Sequence, residues 1–153
     1  MTDLNIRSAT LDDLKALVAF QTSMAMETEG RALDGDTVRE GIKGVFQQPE
    51  RGFYLVAEAD RRVVGSLLVT YEWSDWRNAS FWWVQSVYVD SGWRRRGVYS
   101  AMHSHVHKLA TSRSDVCGIR LYVDHENHVA QQTYASLGMT RARYHMYEID
   151  FVL

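Results

Sequence analysis

The chain has 153 residues, 46% of them apolar and 24% charged, with a formal net charge of −2. That length suits one domain whose core hides about two thirds of the surface of the extended chain, with no need of a metal or disulfide staple. The balanced charge argues against nucleic-acid or anionic-membrane binding by charge alone, and the lone Cys117 excludes an internal disulfide and a multi-cysteine zinc site. A single thiol fits a reducing, cytoplasmic setting. No apolar run reaches the roughly 18 residues of a membrane span, and the opening MTDLNIRSATLDDL lacks the apolar stretch of a signal peptide.

Leu4 to Arg7 reads as a short opening strand. Thr10 is placed to cap a helix, with Asp12 and Asp13 in its positive first turn. Leu11, Leu14, Val18 and Ala25 fall on one face of that helix, which is expected to end near Glu27 to Gly30. A second helix starts at Asp34 to Asp36, carries the stripe Val38, Ile42, Val45 and Phe46, and stops before Pro49. From Arg51 onward β-branched and aromatic residues take over. Phe53 to Glu58 and Val63 to Trp73 read as strands joined at Ala59-Asp60-Arg61, and Phe81 to Val89 as a third long strand after the polar turn Ser74 to Asn78. The basic turn WRRRG, Trp93 to Gly97, precedes a helix with Val98, Met102, Val106 and Leu109 on one side. Cys117 to Val123 reads as a strand, Asn127 as the cap of a short helix ending at Gly138, and Arg141 to Phe151 as a last strand. No repeat or linker interrupts the order β-α-α-β-β-β-α-β-α-β, so residues 1–153 are read as one domain with a strand-helix-strand crossover in a mostly antiparallel sheet.

Two stretches carry chemistry. In QSVYVDSGWRRRGVYSA, Gln85 to Ala101, a strand runs into a basic turn that opens a helix. A helix start offers unpaired N–H groups and the positive end of its dipole, Gly97 lets a backbone approach closely, and Arg94, Arg95 and Arg96 add charge. The segment suits a phosphate or pyrophosphate and equally a solvated basic loop. In NHVAQQTYASLG, Asn127 and Tyr134 stand two turns apart on one helix face, about 10 Å along the axis. A thin ligand beside the helix would touch both; otherwise Asn127 is an N-cap and Tyr134 a core residue.

Together these segments resemble the GNAT superfamily of N-acetyltransferases. Its acetyl-CoA motif, R/Q-x-x-G-x-G/A, is matched by Arg94-Arg95-Arg96-Gly97-Val98-Tyr99, with Tyr99 where the family usually has a small residue. The later Asn127, Tyr134 and Gly138-Met139 and the order of elements match as well, over nearly the whole chain. The resemblance implies an α/β (α+β) fold, with a mixed, mostly antiparallel sheet of six to seven strands flanked by about four helices. It implies acetyl-CoA as acetyl donor, its pantetheine arm on backbone groups of Val87 and Val89, with Tyr88 between, where a bulge splays the fourth strand from the fifth. The pyrophosphate would rest on the turn and helix start at Arg94, Arg95, Arg96, Gly97, Val98, Tyr99 and Ser100. Asn127 would bind the arm, the Val87 N–H would face the thioester carbonyl, and Tyr134 would act as general acid for the leaving thiolate.

The acceptor implied is a primary amine of a small molecule or peptide. Glu27 and Glu29 in METEGRALD follow the first helix, where the family builds its acceptor wall, and either is a candidate base or anchor for a cationic amine. At i and i+2 they point in different directions. Trp73 and Trp76, beside Asp75, are candidates for a flat substrate-binding surface with cation–π character, or else for a sheet-edge cover or dimer contact. Trp82 and Trp83 face opposite sides of their strand. His103 and His107 share a helix face, but no third ligand clusters with them, so no metal is expected. A catalytically silent acetyl-CoA-binding sensor of the same fold is the alternative, and the spare tryptophans and terminal strands are compatible with a homodimer.

Overall fold

The computed structural model describes residues 3–153. Two compact units make up the chain, divided between Tyr122 and Val123. The first contains β1 (Asn5–Ser8), α1 (Leu14–Glu29), α2 (Gly35–Gln47), β2 (Gly52–Ala59), β3 (Arg62–Ser74), β4 (Ala79–Val89), α3 (Val98–Thr111) and β5 (Val116–Arg120). The second contains α4 (His128–Ser136).

The strands form one sheet in the order β1-β2-β3-β4-β5. Its first three pairings are antiparallel, and β4 pairs with β5 in parallel through the α3 crossover. Local chemistry explains the corners. Asp60 and Arg61, the two residues between β2 and β3, both have positive φ (52° and 61°), the backbone a tight hairpin requires. The Asp34 carboxylate accepts from the Thr37 N–H at 2.9 Å and starts α2. Gly30 closes α1 in the left-handed region at φ 60°.

Alternation along β2 divides the core between the two faces of the sheet. Tyr54 and Val56 pack with Leu14 and Leu17 of α1 and Ile42 of α2. Leu55 and Ala57 join Leu67, Val69, Trp82 and Val84 under Met102 and Val106 of α3. The inward face of α1 is Leu14, Leu17 and Gln21, whereas Leu11 is 58% exposed in a 3-10 turn that precedes the helix proper. At the entry to α1 the Arg7 guanidinium clamps the buried Asp13 carboxylate with bonds of 2.8 and 2.9 Å. It also reaches Glu58 at 3.0 Å.

The described residues form five strands, not six to seven. The stretch Arg141 to Phe151, expected as a last strand, holds none, and residues 141–153 are exposed throughout. An apolar alternation marks a segment able to pair, but only a neighbouring edge completes its hydrogen bonds. β5 likewise ends at Arg120, short of Val123.

Candidate active site

The far end of β4 is irregular in a way that opens it. Ser66 pairs with Tyr88 but Leu68 pairs with Gln85, so β4 carries one residue more than β3 across this step. Ser86, at φ 53°, takes up the extra length. On the other side, the pairing of β4 with β5 runs only as far as Trp83 and Arg120. Among the described pairings, Tyr88 and Val89 are thus held in the sheet through Ser66 and Gly65 of β3, and Val87 lies within the bulge with no β5 partner beside it. An open strand edge is a row of donors and acceptors for an extended molecule.

The turn after β4 leads straight to a helix start. The Asp90 N–H donates to Val64 O at 2.8 Å and the Trp93 N–H to Asp90 O at 2.8 Å, which folds the chain back over β3. Arg95 and Gly97 are both left-handed, at φ 63° and 78°, and no side chain caps α3. The first N–H groups of α3 are therefore left for an outside acceptor, at the positive end of the helix dipole. A Cβ built on Gly97 would meet nothing within 4 Å, so the turn is open above the glycine as well as left-handed at it. The Arg96 guanidinium lies 5.0 Å over the Trp93 ring. Tyr99 packs against the α3 side of the core, its ring 5.9 Å from that of His103.

A carboxylate from α1 faces this turn. The Tyr88 O–H donates to Glu27 Oε1 at 3.2 Å, and Arg94 Nη2 donates to Glu27 Oε2 at 2.7 Å. Arg94 Nε also donates to Val89 O at 2.9 Å, and its guanidinium lies 5.3 Å over the Tyr88 ring. The hydrogen bond to Glu27 raises the pKa of Arg94 further above its ordinary value. Glu27, Tyr88 and Arg94, each singled out from the sequence for its own reason, form one group. Glu29 is not in it; its carboxylate is exposed and lies 3.9 Å from Arg31 Nε.

Two members of the site were missed in the sequence. The Phe20 ring packs 5.0 Å from that of Tyr88. Phe20 is two helical turns before Glu27 and so shares its face, a spacing signal that was available. Ser86 carries no such signal, because a bulge residue need not be of any special type. Ser66 Oγ, in the residue paired with Tyr88, is buried without a hydrogen-bond partner among the described residues, as is Gln21 Nε2 on α1.

Trp73 and Trp76 lie elsewhere. Trp73 pairs with Ser80 near the start of β4, and Val87 lies seven residues further, about 23 Å along a strand. Both indoles are exposed, at 62% and 89%. The same end of the sheet holds a cavity of about 580 Å³, lined by Phe53, Tyr71, Trp82, Leu109 and Arg113 among others, which contains none of the expected donor-site residues.

In the second unit, Asn127 does cap α4, its Oδ1 accepting from the Ala130 N–H at 3.1 Å. Its side-chain NH₂ is what remains to reach a ligand. Burial raises the pKa of the Tyr134 phenol, which keeps its proton at neutral pH. The Tyr134 carbonyl accepts from the Leu137 and Met139 N–H groups, and Gly138 at φ 88° closes the helix. Of the two histidines that share a face of α3, His103 is buried. Among the described residues no group of three His, Cys, Asp or Glu is arranged to hold a metal ion. No described helix is long and apolar enough to cross a membrane.

Comparison with known proteins bears on these features. Residues 17–139 match the model of the acetyltransferase (GNAT) family. A solved "possible acetyltransferase" from Clostridium difficile 630 is 39% identical, with a TM-score of 0.90 over 98% of this chain and 99% of that one. Two more distant structures share the fold. An aminoglycoside N-acetyltransferase in complex with CoA is 14% identical, with a TM-score of 0.79 over 98% and 96% of the two chains. A predicted acetyltransferase with acetyl-CoA from Clostridium acetobutylicum is also 14% identical, with a TM-score of 0.77 over 96% of each. A search of curated proteins found no match. With more than half its length covered by the family model, and with a bulged β4 running into an uncapped helix start at Gly97, the chain belongs to the GNAT acetyltransferase family.

Proposed function

We propose that the protein transfers the acetyl group of acetyl-CoA to a primary amine of a small molecule or peptide. The observation that carries this is the continuity of two surfaces: the open edge of β4 at Val87–Val89 leads through the Arg94–Gly97 turn to the uncapped start of α3, with Glu27 facing the turn. One surface suits an extended arm and the other a pyrophosphate, and a carboxylate at their margin suits an amine. The CoA and acetyl-CoA held by two structural neighbours support the choice of donor.

In this reaction the amine nitrogen attacks the thioester carbonyl, the new C–N bond forms and the C–S bond breaks. The N–H of Val87 stabilises charge on the carbonyl oxygen. Backbone groups of Tyr88 and Val89 align the arm, and the amides and side chains of Arg94, Arg95, Arg96, Gly97, Val98, Tyr99 and Ser100 hold the phosphates. Glu27, oriented by two hydrogen bonds, takes the role of amine anchor and proton acceptor ahead of the exposed Glu29. By the family pattern, Asn127 binds the arm through its side-chain NH₂ and Tyr134 gives its proton to the departing thiolate; a phenol with a raised pKa has that proton to give. Trp73 and Trp76 are not assigned to the acceptor, given their place at the other end of β4.

The test is thiol release from acetyl-CoA across a panel of amines, beside calorimetric titration of the donor. Amine-dependent release supports the transferase. Tight binding without release from any amine supports the silent sensor instead, and no binding overturns both.

A further inference from the structure

One guanidinium is shared between the phosphate turn and the acceptor carboxylate. Arg94 is the first residue of the RRRG turn, yet its Nη2 is committed to Glu27 at 2.7 Å. Its Nε is anchored on Val89 O at 2.9 Å, so the planar fork has a fixed root and a movable end. A guanidinium has five N–H donors. The bond to Glu27 is exposed on both sides, with side-chain accessibilities of 45% and 43%, and an ion pair of that kind is worth a factor of about five at most. A phosphate at the turn offers Arg94 two parallel charge-assisted bonds, backed by the amides of the helix start, and is the stronger competitor.

We propose that Arg94 couples the two substrate sites: a donor phosphate draws Arg94 away from Glu27, and the released carboxylate becomes the anchor for a cationic amine. This rests on the transferase function proposed above. Tyr88 is the positioning residue that makes the release useful. Its O–H still holds Glu27 Oε1 when Arg94 leaves Oε2, and its ring is steadied by Phe20, so the carboxylate keeps its orientation while losing its counter-charge. An unpaired carboxylate selects an amine that arrives protonated, which favours alkylamines over arylamines, neutral at pH 7. Linkage makes the effect reciprocal: a cationic amine that neutralises Glu27 tightens donor binding by the same factor that the donor tightens amine binding.

The experiment is calorimetric titration of CoA into the wild-type chain and into Glu27→Gln, Glu29→Gln, Arg94→Ala and the Arg94→Ala/Glu27→Gln double variant, at low salt. Glu27 and Arg94 are exposed, and a thermal melt confirms that each variant is folded. Glu27→Gln, with its competitor carboxylate gone, is expected to bind CoA about fivefold more tightly, a gain that shrinks in high salt. Glu29→Gln is expected to bind as wild type, and Glu27→Gln to bring no gain where Arg94 is already Ala. Unchanged or weaker CoA binding by Glu27→Gln, or an equal gain in the Arg94→Ala background, overturns the coupling. Failure of the wild-type chain to bind CoA is a different result, because it removes the donor site itself and the transferase function with it.

Discussion

Gly65 on β3 and Val98 at the start of α3 meet so closely that a Cβ on Gly65 would stand 3.1 Å from Val98 Cγ1 and 3.2 Å from Tyr88 O. The contact presses the helix start onto the sheet beside the β4 bulge. Replacing Gly65 by valine must push α3 outward or displace Tyr88. Overpacking of this kind costs about 1–3 kcal/mol. The expected outcome is a lower Tm together with an acetyl-CoA Kd raised at least about tenfold, checked by melting and titration. A variant that loses stability but keeps its donor affinity would separate the packing contact from the proposed phosphate-binding turn.

Gly97 tests the turn without touching the core. Its φ of 78° is costly for any β-branched residue, while the space around it is open. Gly97→Val is expected to cost about 1–3 kcal/mol of strain, or to relax the turn and misplace the first amides of α3. Either way acetyl-CoA affinity falls by an order of magnitude or more. Gly97→Ala, with less steric conflict, falls between wild type and valine in the same titration.

Tyr134→Phe isolates the proton donor proposed above. The substitution keeps the ring and removes the hydroxyl. General acid catalysis is worth about a hundredfold or more, so kcat is expected to drop by that factor while donor Kd stays within about twofold. Burial raises the phenol's pKa, so its protonated form persists above neutrality and is lost only as pH passes that raised value. The alkaline limb of the wild-type rate profile is therefore expected to vanish in the phenylalanine variant. An unchanged kcat removes Tyr134 from the acid role.

What could be read ahead of the structure was what is local. Asn127 is legible as a cap because a cap bonds within three residues of itself, the start of α2 near Asp34 for the same reason, and Gly138 as a stop because a left-handed residue suffices. The long strands are legible from their β-branched runs, and the basic turn at Arg94 to Gly97 from contiguous residues. The Glu27–Arg94 bond joins residues 67 apart in the chain, and no pattern in either segment announces the other. Register was also hidden. The chemistry of Trp73 and Trp76 suits an acceptor surface, and only the pairing of Trp73 with Ser80 reveals which end of β4 they occupy. The tail from Arg141 shows the converse case: its apolar pattern is real, and the partner edge is not among the described strands.

Asp13 gives the fold an acid-sensitive joint. The Arg7 guanidinium, by hydrogen bond first, holds the Asp13 carboxyl below its ordinary pKa of 3.8 against the opposing effect of burial. A depressed carboxyl contributes stability that is present above its unfolded pKa and is lost as pH falls through the folded one. Asp13→Asn removes the negative charge and one of the two acceptor oxygens that Arg7 bonds, leaving Glu58 as its ionic partner, and is expected to cost about 2 kcal/mol at pH 7. The variant should also lose less stability than wild type between pH 5 and pH 3, read from urea midpoints. Parallel acid profiles would place the acid sensitivity elsewhere.

His103 works in the opposite chemical sense and in a higher pH range. It is a buried residue of α3, and burial first, with the charge of His107 second, lowers its pKa below the ordinary 6.5. Between the folded and unfolded values the unfolded chain binds the proton and the folded chain does not, so stability rises with pH across that window. Acidification from about pH 7 toward pH 5 therefore weakens the fold, by no more than about 1.4 kcal/mol for each pH unit that the depression spans. His103→Gln cannot take up that proton. Its urea midpoint is expected to vary less over this interval than that of wild type, even if it starts lower through the lost packing against Tyr99. A slope as steep as wild type's would mean that the proton taken up on unfolding belongs to another group.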